Sequence, residues 1–321
     1  MRSTLIALAF LILTNACRVQ EDPSFGHIVK GDWIKDNTDP TYRSTATVLM
    51  GVRTTFCSGT LIAPNIVLSA AHCFNSPKLQ EGIKVAFGSG PVYAQTLEVE
   101  RVVTHPDFAL AWNKKVLEEE VMGQHTEMAS KLEALEKIVV DRPLTADEQL
   151  QMNEFKTFFT QAALDTLANF PRPVNDIALL LLKSPASEPF IPAQLPARDM
   201  TLPINVKLVT AGFGFPSTRE TWAAGRLRRT NVVLDSILPT AKELVVRGLD
   251  GEGFCKGDSG GPTYDLNQAG QTFVIGINVR NRTSSCEDPA IGHLTHVSLF
   301  LDWIECQTEG LNSQIQAVCP T

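Results

Sequence analysis

The chain has 321 residues, 44% of them hydrophobic and 20% charged, with a formal net charge of −7 at pH 7. That length and apolar content can bury a large core as one or two domains, and no apolar run is long enough to span a bilayer. The acidic balance argues against nucleic-acid binding, which needs a basic stripe to neutralise phosphates. The small cluster Arg226, Arg228 and Arg229 reads instead as a solvated strand edge.

At the N-terminus Arg2 precedes the apolar run Leu5–Leu13, which ends in Thr14-Asn15-Ala16-Cys17. A positive end, a short apolar region and a small residue before a cut describe a secretory signal over residues 1–17. Its last four residues also resemble a bacterial lipoprotein signal, in which the cysteine is lipidated and becomes the new N-terminus. Cys17 is therefore a candidate lipid anchor, and the expected location is secreted, or periplasmic and cell-envelope with membrane attachment through Cys17.

From about Ser44 onward the chain is mostly short β-type runs separated by turn residues: TATVLM, GTLIAPNIVLSA, IKVAFG, QTLEVERVV, IALLLL, VKLVTAGFG, NVVLD, ELVVR and TFVIGINV. Such spacing predicts an all-β architecture, closed or sandwiched. One segment, from about 110 to 171, breaks the pattern. Met128, Leu132, Leu135 and Val139 recur at helical steps, and a capping box at Thr145-Ala-Asp-Glu148 opens a second run through Phe155, Phe159 and Leu167. This predicts an inserted helical hairpin, read either as a tolerated surface insertion or as a restriction on access to a site. The final run VSLFLDWIEC predicts a C-terminal helix burying Val297, Leu299, Trp303 and Ile304.

Three motifs carry chemistry: LSAAHC around His72, NDIALL around Asp176 and GDSGGP around Ser259. A hydroxyl is a poor nucleophile at neutral pH, so Ser259 needs a base, and the base needs a third group to hold its tautomer. His72 and Asp176 are the candidates. His27, His105, His125, His293 and His296 show no metal spacing such as HExxH, and neither metal nor cofactor is expected.

In content and order, these motifs resemble the trypsin/chymotrypsin-like serine protease family. The resemblance implies two six-stranded antiparallel β-barrels, with His72 and Asp176 from the first, Ser259 from the second, and a triad in the cleft between them. It also implies an oxyanion hole from the backbone N–H groups of Gly257 and Ser259. Activation would come from a cut before Ile28, whose freed amine would pair with Asp258. Residues 18–27 are then a short pro-segment and 28–321 the protease domain, acting as a monomer on protein or peptide substrates after an activating protease has cut it. In the family a much shorter connection leads to the aspartate, so the hairpin is an addition.

Seven cysteines leave one over. Cys57 with Cys73 and Cys255 with Cys286 match family pairs, Cys306 and Cys319 flank a short C-terminal loop, and Cys17 is the odd one. The resemblance aligns Gly253 and Phe254 with the floor of the specificity pocket, Val279, Arg280 and Asn281 with one wall, and Gly292 and Leu294 with the other. Gly253 stands where tryptic relatives carry an aspartate, so Lys and Arg are disfavoured. Phe254 either fills the pocket and favours small side chains or turns aside to leave a deeper slot; Arg280 and Lys256 attracting acidic residues is a third reading. The alternative from another class is a catalytically silent binding or adhesion module.

Overall fold

A computed structural model describes residue 28 and residues 31–51, 54–75, 80–90, 92–111, 126–169, 172–215, 225–249, 251–266, 271–281 and 291–313. The expected signal and pro-segment, Cys17, Cys286 and Cys319 lie outside them.

After a two-residue strand β1 (Asp32–Trp33), helix α1 (Pro40–Ser44) opens on an Asp39 cap, whose side chain accepts from the Thr41 N–H, with proline at the first turn. Strands β2 (Thr45–Met50), β3 (Thr54–Ala63), β4 (Ile66–Ser69), β5 (Lys84–Phe87) and β6 (Gln95–Thr104) follow. Then come the short strand β7 (Ala109–Ala111), helices α2 (Thr126–Asp141) and α3 (Ala146–Asn169), and the short strand β8 (Arg172–Val174), before β9 (Ala178–Leu182). The order β2-β3-β4-β9-β6-β5 closes into a barrel. Every residue of β4 and β9 is buried, which explains their unbroken apolar runs, whereas β6 alternates because one of its faces is wet.

The second half contributes β10 (Lys207–Gly212), β11 (Arg228–Leu238), β12 (Glu243–Gly248), β13 (Pro262–Leu266), β14 (Thr272–Asn281) and β15 (Ile291–His296). They run in the order β11-β10-β13-β14-β15-β12, and the β11–β12 pairing closes them, with β1 added to β11. The architecture is the expected pair of antiparallel six-stranded barrels. A 3-10 turn (Val297–Phe300) leads into α4 (Leu301–Ser313). Three residues per turn shift the phase there, so Val297, Phe300, Leu301, Trp303 and Ile304 are buried while Leu299, expected inside, is 49% exposed. The arginine cluster also departs from expectation. Arg229 is half-buried and pairs with Asp39 at 2.7 Å, and Arg228 is fully buried.

The helical insertion is present as α2 and α3, packed through Ala129, Leu132, Leu135 and Met152 with Met128, Leu144 and Phe155. Its capping box forms in both directions: the Thr145 N–H donates to Glu148 Oε2 at 2.8 Å, and the Glu148 N–H donates to Thr145 Oγ1 at 3.3 Å. Val139, expected in the stripe, is half exposed, as is Leu150 on the facing helix, so the apolar seam ends before this turn. At the neck, β7 and β8 pair antiparallel, with Ala109 opposite Val174 and Ala111 opposite Arg172. Among the described residues, the hairpin's apolar cluster contains hairpin residues alone. Joining Ala111 to Arg172 by a tight turn is therefore expected to leave cooperative unfolding intact. The melting temperature should hold or rise slightly, since loop closure becomes cheaper by about 0.6 kcal/mol per halving of length. Loss of the cooperative transition in calorimetry would show that the barrels need the hairpin.

Candidate active site

Strands β4 and β9 are antiparallel neighbours, with Ser69 opposite Ala178. The chain leaving β4 and the chain entering β9 therefore meet at one edge of the first barrel. His72, in a 3-10 turn three residues after Ser69, meets Asp176, two residues before Ala178. The His72 N–H donates to Asp176 Oδ1 at 2.8 Å, and His72 Nδ1 lies 2.6 Å from Asp176 Oδ2. A proton on Nδ1 satisfies the buried carboxylate and leaves Nε2 as the basic nitrogen. From the second barrel, Thr295 Oγ1 donates to the Asp176 carbonyl at 2.8 Å. Asn175, at a φ of 49°, donates its side-chain amide to the Asp107 carbonyl and fixes the approach to Asp176. Burial works against a charged His72, but the Asp176 carboxylate outweighs it and the histidine pKa is raised.

Ser259 lies in a turn lodged against this edge. Its carbonyl accepts from the Ser58 N–H of β3 at 2.8 Å, the Gly260 N–H donates to the Asn278 carbonyl at 2.7 Å, and the Gly261 N–H donates to the Asp258 carbonyl at 2.9 Å. Gly260 has a φ of 80°, and a β-carbon there would collide with Ser69 Oγ, so this close seating requires glycine. Among the described residues, the N–H groups of Gly257 and Ser259 donate to no protein acceptor, and no hydrogen bond joins the Ser259 hydroxyl to His72.

The carboxylate of Asp258 is fully buried and accepts from the N–H groups of Gly214 at 2.7 Å and Cys255 at 2.8 Å. Burial dominates over these bonds and the charge of Arg228, and its pKa is pushed up to about 6. Ile28 is also buried, with its carbonyl accepting from the Gly31 N–H, and among the described residues it makes no ion pair with Asp258.

Cys57 and Cys73 form the expected disulfide, stapling the His72 turn to β3. Their sulfurs and His72 cluster closely enough to suggest a metal site, but disulfide sulfurs are not thiolate ligands. Cys255 and Cys306 are each disulfide-bonded.

The trypsin family model matches residues 34–114 and 144–304. The chain belongs to the trypsin family. The gap in the match, between 114 and 144, contains α2, so this part of the hairpin is an addition to the family's own chain. Similar proteins include brachyurin of Leptuca pugilator, 26% identical over 79% of this chain and 88% of the relative, and trypsin of Phaedon cochleariae, 26% identical over 79% of each. Urokinase-type plasminogen activator of Gallus gallus is 22% identical over 90% of this chain and 59% of its own length. Family and relatives support a serine peptidase.

The residues expected around the specificity pocket lie on β14, on β15 and in the turn before Ser259. Gly253 is buried, and the Phe254 ring is packed so closely on Gly292 that a β-carbon there would strike it. Phe254 joins Leu294, Leu244 and Ile275 in the apolar core of the second barrel, and its carbonyl accepts from Asn281 Nδ2 at 2.5 Å. Val279 is buried. Arg280 is turned into the barrel wall, bonding Glu243 with both terminal nitrogens, and its Nη2 lies 3.0 Å from His293 Nδ1, which is itself 3.1 Å from Glu243 Oε2. Arg280 therefore does not present a free charge for an acidic substrate.

Nothing in the sequence marked Glu243 or His293 as a buried ion cluster, because each sits inside an ordinary-looking strand run. Burial alone would raise the Glu243 pKa; Arg280 and His293 override it and hold the carboxyl down at about 2. Its stabilisation is therefore complete above the ordinary carboxylate pKa near 4.5 and is lost as pH falls towards 2. The difference is of the order of 3 kcal/mol. Glu243→Gln is expected to destabilise the fold at pH 7 by about 3–5 kcal/mol, because it strands Arg280, and to flatten the acid limb between pH 4.5 and 2. An unchanged limb in urea titrations would contradict this.

Proposed function

We propose that the chain is an exported serine endopeptidase, made as an inactive precursor, in which Ser259, His72 and Asp176 act as nucleophile, base and orienting carboxylate. The observation that carries this reading is the doubly bonded His72–Asp176 pair at the barrel seam, beside a Ser259 turn held by the opposite barrel. His72 Nε2 takes the Ser259 proton as the hydroxyl oxygen attacks the scissile carbonyl, and Asp176 stabilises the imidazolium that forms. The resulting oxyanion is received by the unengaged N–H groups of Gly257 and Ser259. Collapse expels the amine, which takes the proton from His72 and leaves an acyl-enzyme that water then cleaves by the same steps.

Precursor status is supported by the state of Asp258. Burial pushes its pKa up to about 6 against two N–H bonds and the charge of Arg228, so a buried cationic partner would add stability at neutral pH. A cut between His27 and Ile28 would supply that partner as a new amine, and since His27 is not basic, the activating protease is not one of Lys or Arg preference. Export is supported by the signal-like N-terminus and by disulfides, which are rare outside oxidising compartments. Lipidation of Cys17 is part of the same reading.

Phe254, set against Gly292, shortens the pocket and favours small aliphatic residues before the scissile bond. On peptides, Ala or Val at that position is expected to give kcat/KM at least about tenfold above Lys, Arg or Phe. Phe254→Ser should narrow the gap, and equal wild-type rates would refute the assignment.

The decisive experiment joins N-terminal mass determination to active-site labelling. A chain that begins at Ile28 is expected to label at Ser259 with a sulfonyl fluoride. Labelling should slow as pH falls through the raised His72 pKa, because the protonated ring is no base. Ser259→Ala should lower turnover about a millionfold. A chain verified to begin at Ile28 that fails to label would make this protein a silent binding module. In the uncut precursor, a mass showing a diacylated Cys17 would establish the anchor, and an unmodified or absent Cys17 would remove it.

A further inference from the structure

Ser58 follows Cys57 on β3 and is fully buried, and all of its polar groups are engaged. Its N–H donates to the Ser259 carbonyl at 2.8 Å, and its carbonyl accepts from Ser69 Oγ at 2.8 Å. Any residue could make those two main-chain bonds. Its hydroxyl adds two more: Oγ donates to the Gly257 carbonyl at 2.9 Å and accepts from the Phe213 N–H at 3.0 Å. These run from the first barrel to two separate segments of the second.

The Gly257 carbonyl belongs to the peptide unit joining Gly257 to Asp258. The N–H of that same unit donates to the Cys255 carbonyl at 3.0 Å, so the unit is held at both ends. On either side of it stand the N–H groups of Gly257 and Ser259, which the described protein leaves unengaged. Gly257 has a φ of 91°, a conformation open to glycine and reversible by rotation about its own bonds. Pinning its carbonyl removes that freedom and sets the direction of both neighbouring N–H groups.

We propose that Ser58 is a positioning residue whose hydroxyl locks the Gly257–Asp258 peptide between the barrels and so aims the Gly257 and Ser259 N–H groups at a common point. The assignment rests on the protease reading above, in which those groups receive the oxyanion. Ser58 does not touch substrate. Its loss should therefore lower the rate of the chemical step and the binding of tetrahedral species while sparing ground-state binding.

The test uses the chain beginning at Ile28, as wild type and Ser58→Ala, with Ser58→Gly as a second variant should the alanine form fail to fold. On a peptide amide substrate, kcat is expected to fall between about tenfold and a hundredfold, short of the loss of a whole oxyanion donor, while KM stays within about twofold. The affinity of a peptide aldehyde, which forms a tetrahedral adduct with the nucleophile, should fall in parallel with kcat. Hydrogen exchange at the Phe213 amide should speed up. A wild type that turns over substrate, with a Ser58 variant of unchanged kcat and aldehyde affinity, overturns the assignment alone, even if the Phe213 amide is loosened. Unchanged exchange at Phe213 overturns the clamp itself. A wild type that neither labels nor cleaves overturns the protease reading, and this assignment with it.

Discussion

A turn of main chain with its polar groups out of water must find partners for them, and the Gly257–Gly261 turn finds them on two barrels at once. Ser58 of the first barrel bonds the carbonyls of Gly257 and Ser259, while Asn278 of the second receives the Gly260 N–H. No single barrel could satisfy this segment, so docking of the barrels and ordering of the turn are one event. The same seam carries the Thr295 bond to Asp176 and the bonds from Tyr264 to Ser44 and Thr45. The residues proposed for catalysis sit where the two halves complete each other's hydrogen bonding, and their geometry inherits the rigidity of both.

Three buried carboxylates solve the same desolvation problem differently. Asp176 meets the backbone N–H and the ring of His72, a partner that can change charge. Glu243 meets a forked guanidinium and an imidazole, and remains ionised far into acid. Asp258 has two N–H groups and the charge of Arg228, and burial still pushes its pKa up. The contrast between about 2 and about 6 follows from the number and charge of donors, since all three are nearly fully buried. A carboxylate held ionised and one pushed towards protonation can therefore be told apart by how completely donors meet each charge.

The hairpin α2–α3 leaves the first barrel through the β7–β8 ladder, which ends directly before Asn175 and Asp176. A long insertion could have transmitted its own motion to the aspartate. The paired neck and the Asn175 bond to the Asp107 carbonyl separate the two. This placement explains how the loop into Asp176 tolerates the residues between 114 and 144 that the family match leaves out, while the carboxylate keeps both of its bonds to His72.

Local patterns determined much of this protein in advance. Alternating and fully apolar runs announced most strands, the Thr145–Glu148 box announced the second helix, and the residues around His72, Asp176 and Ser259 announced the family. These signals are legible because they depend on neighbours within a few positions of the chain. Strands β13 and β15 were not foreseen. The first continues from a proline directly after the GDSGG turn, and the second contains Gly292 and two histidines, so neither reads as a strand without partners. The burial of Arg228, the Phe254 ring on Gly292, the ion cluster at Glu243 and the four bonds of Ser58 were likewise invisible. Each depends on register between segments tens to hundreds of residues apart, such as Ser58 with Gly257 or Glu243 with Arg280. A hydroxyl or a charge has no meaning in the sequence until folding chooses what faces it.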